Sequence, residues 1–242
     1  YFFIRKKFNK FKLNKHYLSL LRYHFTIIKN INSIHKKKNY VLSALNLAFL
    51  GSYIENQVKL YKNLIHWPDG VFVKDIDLGI KKIPGREVLE KLKLPKSIKQ
   101  ITVFGNLPQK SKKFLLLKYK RNVKNIPLPY GNIDNIVKNL NYKINKDEII
   151  FITLPTPKQE QLAEYLTKKN KFYKIICIGG SINIVSGLEK KVPKFLYHFE
   201  FIWRLRYETF RRLKRLMSTF KSYTFGKFIE KKLENLHIKF IK

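Results

Sequence analysis

The sequence has very little cysteine and no long uninterrupted hydrophobic run. Cys177 is the single cysteine among 242 residues. One cysteine excludes an internal disulfide and a cysteine-based metal site, and it predicts a reducing, cytosolic compartment. No apolar run approaches the roughly 18 to 20 residues that a membrane-spanning helix needs. The sequence therefore predicts no transmembrane segment.

Acidic residues are also scarce, and the resulting charge points to anionic partners. The chain has 16 Asp and Glu against 51 Lys and Arg, a formal net charge of +35, and such a charge repels itself unless an anionic partner screens it. Nucleic acid and an anionic membrane are the candidates. An AT-rich genome also produces abundant Lys, Ile, Asn, Phe and Tyr without selection for binding, so lysine alone is weak evidence. Arginine is more informative, because a cluster of arginines falls within twelve consecutive positions, namely Arg204, Arg206, Arg211, Arg212 and Arg215.

The pattern along the chain indicates one main domain with two basic flanks. We predict a basic lead-in over residues 1–38, an α/β core over 39–195 and a basic helical appendage over 196–242. Short apolar runs alternate with helical spacing through the core, which is typical of a parallel sheet covered by helices. The predicted strands are Tyr40–Leu47, Gly70–Val73, Ile101–Phe104, Glu148–Leu154 and Lys174–Ile178. The predicted helices are Gly51–Leu64, Arg86–Leu92, Ile133–Leu140 and Pro157–Lys168.

The predicted appendage carries an amphipathic pattern. At about 100° per residue, apolar residues from Phe199 to Phe220 share one stripe about 100° wide. Arg204 and Arg211 point away from that stripe. Such a helix either lies in a membrane interface or packs its stripe on the core. The stripe could also join two copies of the chain.

Four local patterns follow one another in a fixed order. They are Val41-Leu42-Ser43-Ala44-Leu45-Asn46; His66-Trp67-Pro68-Asp69-Gly70-Val71 with Lys82-Ile83-Pro84-Gly85-Arg86-Glu87-Val88; Leu154-Pro155-Thr156-Pro157-Lys158-Gln159-Glu160; and Ile178-Gly179-Gly180-Ser181 with Phe199-Glu200-Phe201-Ile202-Trp203-Arg204-Leu205. Over roughly residues 40–217 this succession resembles the WecG/TagA/CpsF family, also called glycosyltransferase family 26. The Pro-Lys-Gln-Glu run is its most specific element, and Pro-Asp-Gly is the second.

The resemblance implies a fold, a reaction and its partners. The fold is a Rossmann-like parallel sheet flanked by helices. The reaction is an inverting transfer of an N-acetylhexosamine, typically N-acetylmannosamine, from a UDP-sugar to an undecaprenyl-diphosphate-linked sugar at the cytoplasmic membrane face. The expected partners are thus a UDP-N-acetylhexosamine, a lipid-diphosphate-linked acceptor and an anionic membrane. The family is thought to need no metal or other cofactor, and its members can self-associate.

The resemblance also assigns the two chemical tasks of the reaction. Asp69 matches the base that takes the acceptor proton, although an arbitrary Asp-Gly pair is more often a turn. The diphosphate charge falls to Arg204 and Arg211, followed by Lys214 and Arg215, because guanidinium groups fit phosphate oxygens and stay charged. A solvated helix face or contacts with lipid headgroups are the alternative roles for these cations.

Four further residues belong to the cleft by the same resemblance. Gln159 is expected to contact the nucleotide-sugar, and Asn46 is expected to bond a sugar or nucleotide hydroxyl. Gly179 and Gly180 let backbone amides approach a ligand, although a Gly pair after a strand is more often a tight turn. We interpret His66 as an ordinary half-buried histidine.

Two observations set limits on the family interpretation. Asp75-Ile76-Asp77 resembles the Asp-x-Asp pair that holds a divalent ion in many glycosyltransferases, but it lies outside the matched motifs and we interpret it as a surface turn. The chain also departs from the family pattern at Ala44, Thr153, Pro155, Asn183 and Thr209. These departures leave the sugar specificity, and activity itself, open.

Two other functions therefore remain as alternatives. The charge favours a nonspecific nucleic-acid-binding protein, although the sequence has no reading module or stacking platform for specific recognition. The second alternative is a catalytically inactive accessory protein at the membrane that keeps the family fold.

Overall fold

The computed structural model describes residues 23–69, 81–138, 140–190 and 236–241. Eight strands in these ranges form one sheet: β1 Tyr23–Ile28, β2 Tyr40–Leu45, β3 Leu64–Pro68, β4 Gln100–Phe104, β5 Asn122–Ile126, β6 Glu148–Ile152, β7 Lys174–Cys177 and β8 Leu236–Ile241. The strand order is β5-β4-β6-β7-β2-β3-β1-β8. Every neighbouring pair runs parallel. All strands therefore end at the same edge of the sheet.

Six α-helices lie within the described residues, and the first five each connect one strand of the sheet to the next strand along the chain. They are α1 Leu47–Ile54, α2 Gly85–Lys91, α3 Gln109–Tyr119, α4 Ile133–Val137, α5 Lys158–Lys169 and α6 Ser181–Val185, and a 3-10 turn covers Ile31–Lys36. Parallel strands need such crossover connections. Several helices begin directly after a strand, so their N-terminal ends lie near the carboxyl-terminal edge.

Alternate residues of each strand point to opposite faces of the sheet, and each face has its own hydrophobic core. On one face, Val41 and Ile175 pack with Phe49 of α1 and Leu162 of α5. On the other face, side chains such as Leu42 pack with residues of α2, α3 and α6, including Val88, Leu115 and Ile182. The strand β6 is buried along its whole length, as expected for a sheet that is covered on both sides.

This architecture confirms the predicted α/β class with a parallel sheet flanked by helices. The predicted strands that begin at Tyr40, Ile101, Glu148 and Lys174 correspond to β2, β4, β6 and β7. The helices predicted from Arg86, Ile133 and Pro157 correspond to α2, α4 and α5. The predicted strand Gly70–Val73 lies outside the described residues.

The structure corrects the prediction in three places. The predicted basic lead-in over 1–38 contains β1 and the 3-10 turn, and Ile27 and Ile34 are completely buried there. The predicted helix Gly51–Leu64 is wrong beyond Ile54, because α1 ends there and β3 begins at Leu64. The last described residues of the predicted helical appendage form β8, which pairs with β1 from Tyr23↔Leu236 to Ile28↔Ile241.

The physical reason for these errors is local composition. The strand β1 has the sequence Tyr-His-Phe-Thr-Ile-Ile and follows a run of basic and aromatic residues that masks its apolar character. The strand β3 contains His66, Trp67 and Pro68, a composition that resembles a turn more than a buried strand. Burial of both strands becomes visible only when the neighbouring strands are known.

Candidate active site

Four neighbouring strands of the sheet end at predicted site residues. In the order β6-β7-β2-β3, β6 leads into the loop before Gln159, β7 into Gly179 and Gly180, β2 into Asn46 and β3 into Asp69. Parallel strands bring these ends to one edge, which is where open α/β sheets bind ligands. The fold therefore gathers residues that are separated by more than a hundred positions in the sequence.

Asp69 directly follows β3 and is half-buried. Its backbone N–H donates to the carbonyl of Leu45 at 3.1 Å, which places Asp69 beside Asn46 at the ends of two paired strands. The chain returns to the same place after the undescribed segment 70–80, because the N–H of Ile83 donates to the carbonyl of Pro68 at 2.7 Å. Asp69 is thus held at the edge by backbone hydrogen bonds on both sides.

Asn46 has a structural task that the sequence did not predict. Its side-chain Oδ1 accepts a hydrogen bond from the backbone N–H of Phe49 at 3.0 Å and caps the first turn of α1. This bond occupies the acceptor end of the amide. The Nδ2 group is therefore the part of Asn46 that would donate to a sugar or nucleotide oxygen.

Gln159 lies in the first turn of α5 and is almost completely buried. Its Nε2 donates to Thr156 Oγ1 at 3.0 Å and to Glu160 Oε1 at 2.8 Å. Its Oε1 is buried and has no hydrogen-bond partner, and it lies 3.6 Å from the position that a Cβ atom on Gly179 would take. Gln159 therefore faces the loop after β7 with an open acceptor.

The two glycines after β7 differ in whether their backbone conformation requires glycine. Gly179 has φ +50°, the left-handed region that favours glycine, and its N–H donates to the carbonyl of Ile152 at 3.1 Å. Gly180 has φ −77°, and a Cβ atom there would have no neighbour within 4 Å among the described atoms. Gly179 is needed for the turn, whereas Gly180 leaves space at the edge of the sheet.

A buried polar cluster lies beneath these residues and consists of Ser43, Thr156, Gln159 and Glu160. The Oε1 atom of Glu160 accepts from Ser43 Oγ at 2.7 Å, from Gln159 Nε2 at 2.8 Å and from Thr156 Oγ1 at 3.2 Å. The Oε2 atom is buried and has no partner. Burial raises the pKa of Glu160, and the hydrogen bonds oppose that effect. The cluster ties β2 to the start of α5 and so fixes the edge on which Asn46 and Gln159 lie.

Sequence analysis did not single out Ser43 or Glu160 as parts of a site. Both residues nevertheless fall inside motifs, Ser43 in the run that ends at Asn46 and Glu160 at the end of Pro-Lys-Gln-Glu. Cys177 on β7 adjoins the same cluster, with its Sγ 3.7 Å from the carbonyl oxygen of Gln159, and burial raises the pKa of its thiol. A buried, protonated thiol of this kind is chemically inert.

His66 is more deeply buried than predicted. It is 0% exposed, and its ring packs edge-on against Phe49 and Phe25, with centroid separations of 4.5 and 5.4 Å. Burial lowers its pKa to about 3, and a contact with the backbone of Ser43 opposes this effect. Neither ring nitrogen has a hydrogen-bond partner of acceptable geometry. His66 is therefore a neutral core residue below the edge that carries Asp69.

The connections that follow β2, β4, β5, β6 and β7 contain no charged residue; they are positions 46, 105–108, 127–132, 153–157 and 178–180. The helices that come next bring Lys110 and Lys158 to this edge. Lys110 Nζ donates to the carbonyl of Gly187 at 3.0 Å, and Lys158 Nζ donates to that of Gly131. These five connections therefore supply no cation for a diphosphate, and the cations at this edge come from the helix starts and from the connection after β3, which contains Lys81 and Lys82.

Several predicted residues lie outside the described part of the chain. They include Arg204, Arg211, Lys214 and Arg215, the amphipathic segment that begins at Phe199, and the pair Asp75 and Asp77. Their assignments remain predictions.

A comparison with protein families supplies the decisive observation about this edge. Residues 129–235 match the model of the WecG/TagA/CpsF glycosyl transferase family. The match confirms the resemblance over these residues, and the family that it names is one of glycosyl transferases. A comparison with curated proteins finds no match.

The WecG/TagA/CpsF match covers less than half of the chain, and its boundaries matter for the site. Gln159, Gly179 and Gly180 lie inside it, together with the four C-terminal cations. Asn46 and Asp69 lie outside it. The sheet connects the two groups, because β2 pairs directly with β7 through Tyr40↔Lys174 to Leu42↔Ile176. The matched half and the strand ends that carry Asn46 and Asp69 thus form one edge.

Proposed function

We propose that this protein is an inverting glycosyltransferase that transfers an N-acetylhexosamine, typically N-acetylmannosamine, from a UDP-sugar to an undecaprenyl-diphosphate-linked sugar. The product would serve a cell-surface polysaccharide or a teichoic acid-type polymer. The observation that carries the proposal is the convergence of Asn46, Asp69 and Gly179 at neighbouring strand ends in a chain that matches the glycosyl transferase family.

Asp69 is the proposed general base. Its carboxylate takes the proton of the acceptor hydroxyl while that oxygen forms a bond to the anomeric carbon of the donor sugar. The bond from that carbon to the UDP oxygen breaks, and UDP leaves with the electron pair, so that a single displacement inverts the configuration. A half-buried carboxylate at a strand end suits this task, because it is held in place and still reachable.

The donor is proposed to lie between the loop after β7 and the end of β2. Gln159 Oε1, which is buried without a partner next to Gly179, is available to accept from a donor hydroxyl or from the uracil N–H. The Nδ2 group of Asn46 is available to donate to a ligand oxygen. Two amide groups at neighbouring strand ends can orient a polar ligand beside Asp69.

The departing diphosphate needs cations that the connections after β2, β4, β5, β6 and β7 do not supply. We propose that Arg204 and Arg211 provide them, because a guanidinium fork matches phosphate oxygens. Lys214 and Arg215, which come next in the sequence, would add to this positive charge. This arrangement would make the transfer independent of a divalent metal. The appendage would therefore complete the active site.

The reaction is proposed to take place at the inner face of the plasma membrane. Among the described residues, no helix is long and apolar enough to cross a bilayer. The amphipathic segment from Phe199 onward is proposed to attach the protein peripherally, with its basic face toward anionic headgroups. Replacement of Phe199, Trp203 and Phe210 by Gln, which leaves β8 in place beside β1, is then expected to lower liposome binding and transfer together.

The test is a transfer assay with a panel of UDP-N-acetylhexosamines and a short-tailed lipid-diphosphate-N-acetylglucosamine acceptor. Release of UDP and formation of the lipid-linked disaccharide are measured in parallel. We expect one donor to be consumed in step with product formation. If no donor on the panel is consumed under conditions where the protein is folded, the proposal is wrong, and the inactive accessory protein becomes the better account.

A matched pair of variants separates the base from a general effect of charge. Asp69→Asn removes the proposed base, and Asp147→Asn makes the same chemical change at an equally half-buried position that precedes β6 at the opposite edge of the sheet. We expect Asp69→Asn to lower kcat by about 10²- to 10⁴-fold and Asp147→Asn to leave it unchanged.

A further inference from the structure

The amino-terminal edge of the sheet is strongly basic, and its connections carry more cations than those at the carboxyl-terminal edge. The connections that precede β2, β4, β5, β6 and β7 are 37–39, 92–99, 120–121, 138–147 and 170–173. The cations in them are Lys37, Lys38, Lys93, Lys96, Lys99, Lys120, Arg121, Lys138, Lys143, Lys146 and Lys171, and Asp147 is their only carboxylate. Random enrichment of lysine in the sequence would load both edges alike, yet the carboxyl-terminal edge has fewer cations, such as Lys29, Lys81, Lys82, Lys110 and Lys158. The excess at the amino-terminal edge therefore calls for another explanation.

Helix dipoles account for only part of this charge. The helices run opposite to the strands, so their C-terminal ends lie at the amino-terminal edge, and a cation within the last turn is stabilised there. Lys120 is the C-cap of α3 and fits this explanation. Lys96 and Lys99 follow the end of α2 by more than a turn, and Lys143 and Lys146 follow the end of α4 in the same way. The helix dipole does not explain these four lysines.

Two clefts open on this edge. The first has a volume of about 560 Å³ and is lined by Lys96, Lys99, Leu116, Lys120, Arg121 and Asn122. The second has a volume of about 300 Å³ and is lined by His35, Lys36, Lys37, Lys38, Lys146, Phe172 and Lys174. In the second cleft, Nζ atoms of three lysines surround the ring of Phe172, namely Lys38 at 5.1 Å, Lys146 at 5.3 Å and Lys171 at 5.9 Å from its centroid.

The two clefts belong to one continuous surface. The N–H of Asn122 donates to the carbonyl of Lys99 at 3.3 Å, and the N–H of Lys99 donates to that of Asp147 at 2.8 Å. Lys174 Nζ then donates to the carbonyl of Lys146 at 3.0 Å. The surface spans the strands from β5 to β2, a distance of about 19 Å at the usual spacing of about 4.8 Å between strands.

We propose that this basic edge binds the sugar-phosphate backbone of single-stranded nucleic acid. A groove of lysines that follows a row of strand ends suits a flexible chain of phosphates. A protein partner would need an apolar centre, and Leu116 and Phe172 are the apolar side chains that line the two clefts. Lysines already occupy the surroundings of the Phe172 ring, so the binding depends on phosphates and not on stacked bases. The inference is independent of the proposed transfer reaction.

The test compares two variants of the full chain with equal net charge. Lys96, Lys99, Lys120 and Lys146 are exposed on the basic edge, and the first variant changes all four to Gln. The matched control changes Lys81, Lys82, Lys112 and Lys113, which lie away from this edge, to Gln. Binding of a fluorescent oligothymidylate is followed by anisotropy over a range of salt concentrations, and vesicles containing phosphatidylglycerol are tested with both proteins.

The basic-edge variant should bind the oligonucleotide at least about tenfold more weakly, and its slope of log K against log salt should fall by about 3, as four lost phosphate contacts predict. The control should bind like the unmodified protein. Equal weakening of both variants would show that only the overall charge matters and would overturn the proposal. Unchanged oligonucleotide binding by the basic-edge variant would also overturn it, and a loss confined to vesicle binding would assign the surface to the membrane instead.

Discussion

His66 makes a prediction about stability that follows from its burial alone. Its imidazole is fully enclosed between Phe25 and Phe49 and has no hydrogen-bond partner of acceptable geometry. Such a site accommodates a neutral ring and excludes a charged one. The free energy of unfolding should therefore fall as the pH falls, because the unfolded chain can protonate His66 more easily than the folded protein can. We expect His66→Leu, which places an apolar side chain of similar size at this position, to remove this dependence on pH without loss of stability at neutral pH.

The magnitude follows from the pKa values of the two states. The pKa of His66 is about 3 in the folded protein and about 6.5 in the unfolded chain. Between these values the unfolded state binds a proton that the folded state does not, so the free energy of unfolding falls as the pH falls. The loss is about 1.4 kcal/mol per pH unit and reaches about 5 kcal/mol near pH 3.

Urea denaturation of the unmodified protein and of His66→Leu, measured from neutral pH to about pH 4, checks this reasoning. Carboxylates elsewhere contribute equally to both proteins, so the difference between the two curves isolates the histidine. The curves should converge or cross as the pH rises toward 7 and separate steadily below about 6.5. Parallel curves over the whole range would refute the account of His66 as a buried neutral base.

Three further predictions concern the edge that carries the proposed active site. Ser43→Ala removes one donor from Glu160 and should lower the free energy of unfolding by about 1 kcal/mol in urea denaturation. Gly179→Ala should lower thermal stability by about 1 kcal/mol because of its left-handed backbone, whereas Gly180→Ala should be neutral; equal effects would contradict the geometry of this turn. EDTA should leave the transfer rate unchanged, and a loss that Mg²⁺ or Mn²⁺ restores would contradict the metal-free proposal.

The buried central strands were the most predictable part of the fold. The strand β6 is a nearly continuous run of Ile and Phe, and β4 contains Ile, Val and Phe; such apolar segments signal a covered parallel sheet from local sequence alone. The strands β1 and β8 could not be predicted in the same way. Each of them is stabilised by pairing with the other across more than two hundred residues, and no local pattern reports such a partner.

The candidate site, like the fold, could be predicted from the sequence only in part. Motif order singled out Asp69, Gln159 and the two glycines as candidates, and the sheet topology brings the ends of their elements to one edge. The capping role of Asn46 and the contact between Ser43 and Glu160 depend on how α1 and α5 meet the sheet. Such contacts follow from tertiary packing, and sequence spacing alone does not reveal them.

The most direct test of the central claim is the kcat of Asp69→Asn relative to Asp147→Asn in sugar transfer to the lipid-linked acceptor. The proposed base predicts a ratio of about 10⁻² or lower, with both proteins folded and with similar apparent affinity for the donor. Equal kcat values for the two variants would contradict the claim that Asp69 removes the acceptor proton at this edge of the sheet.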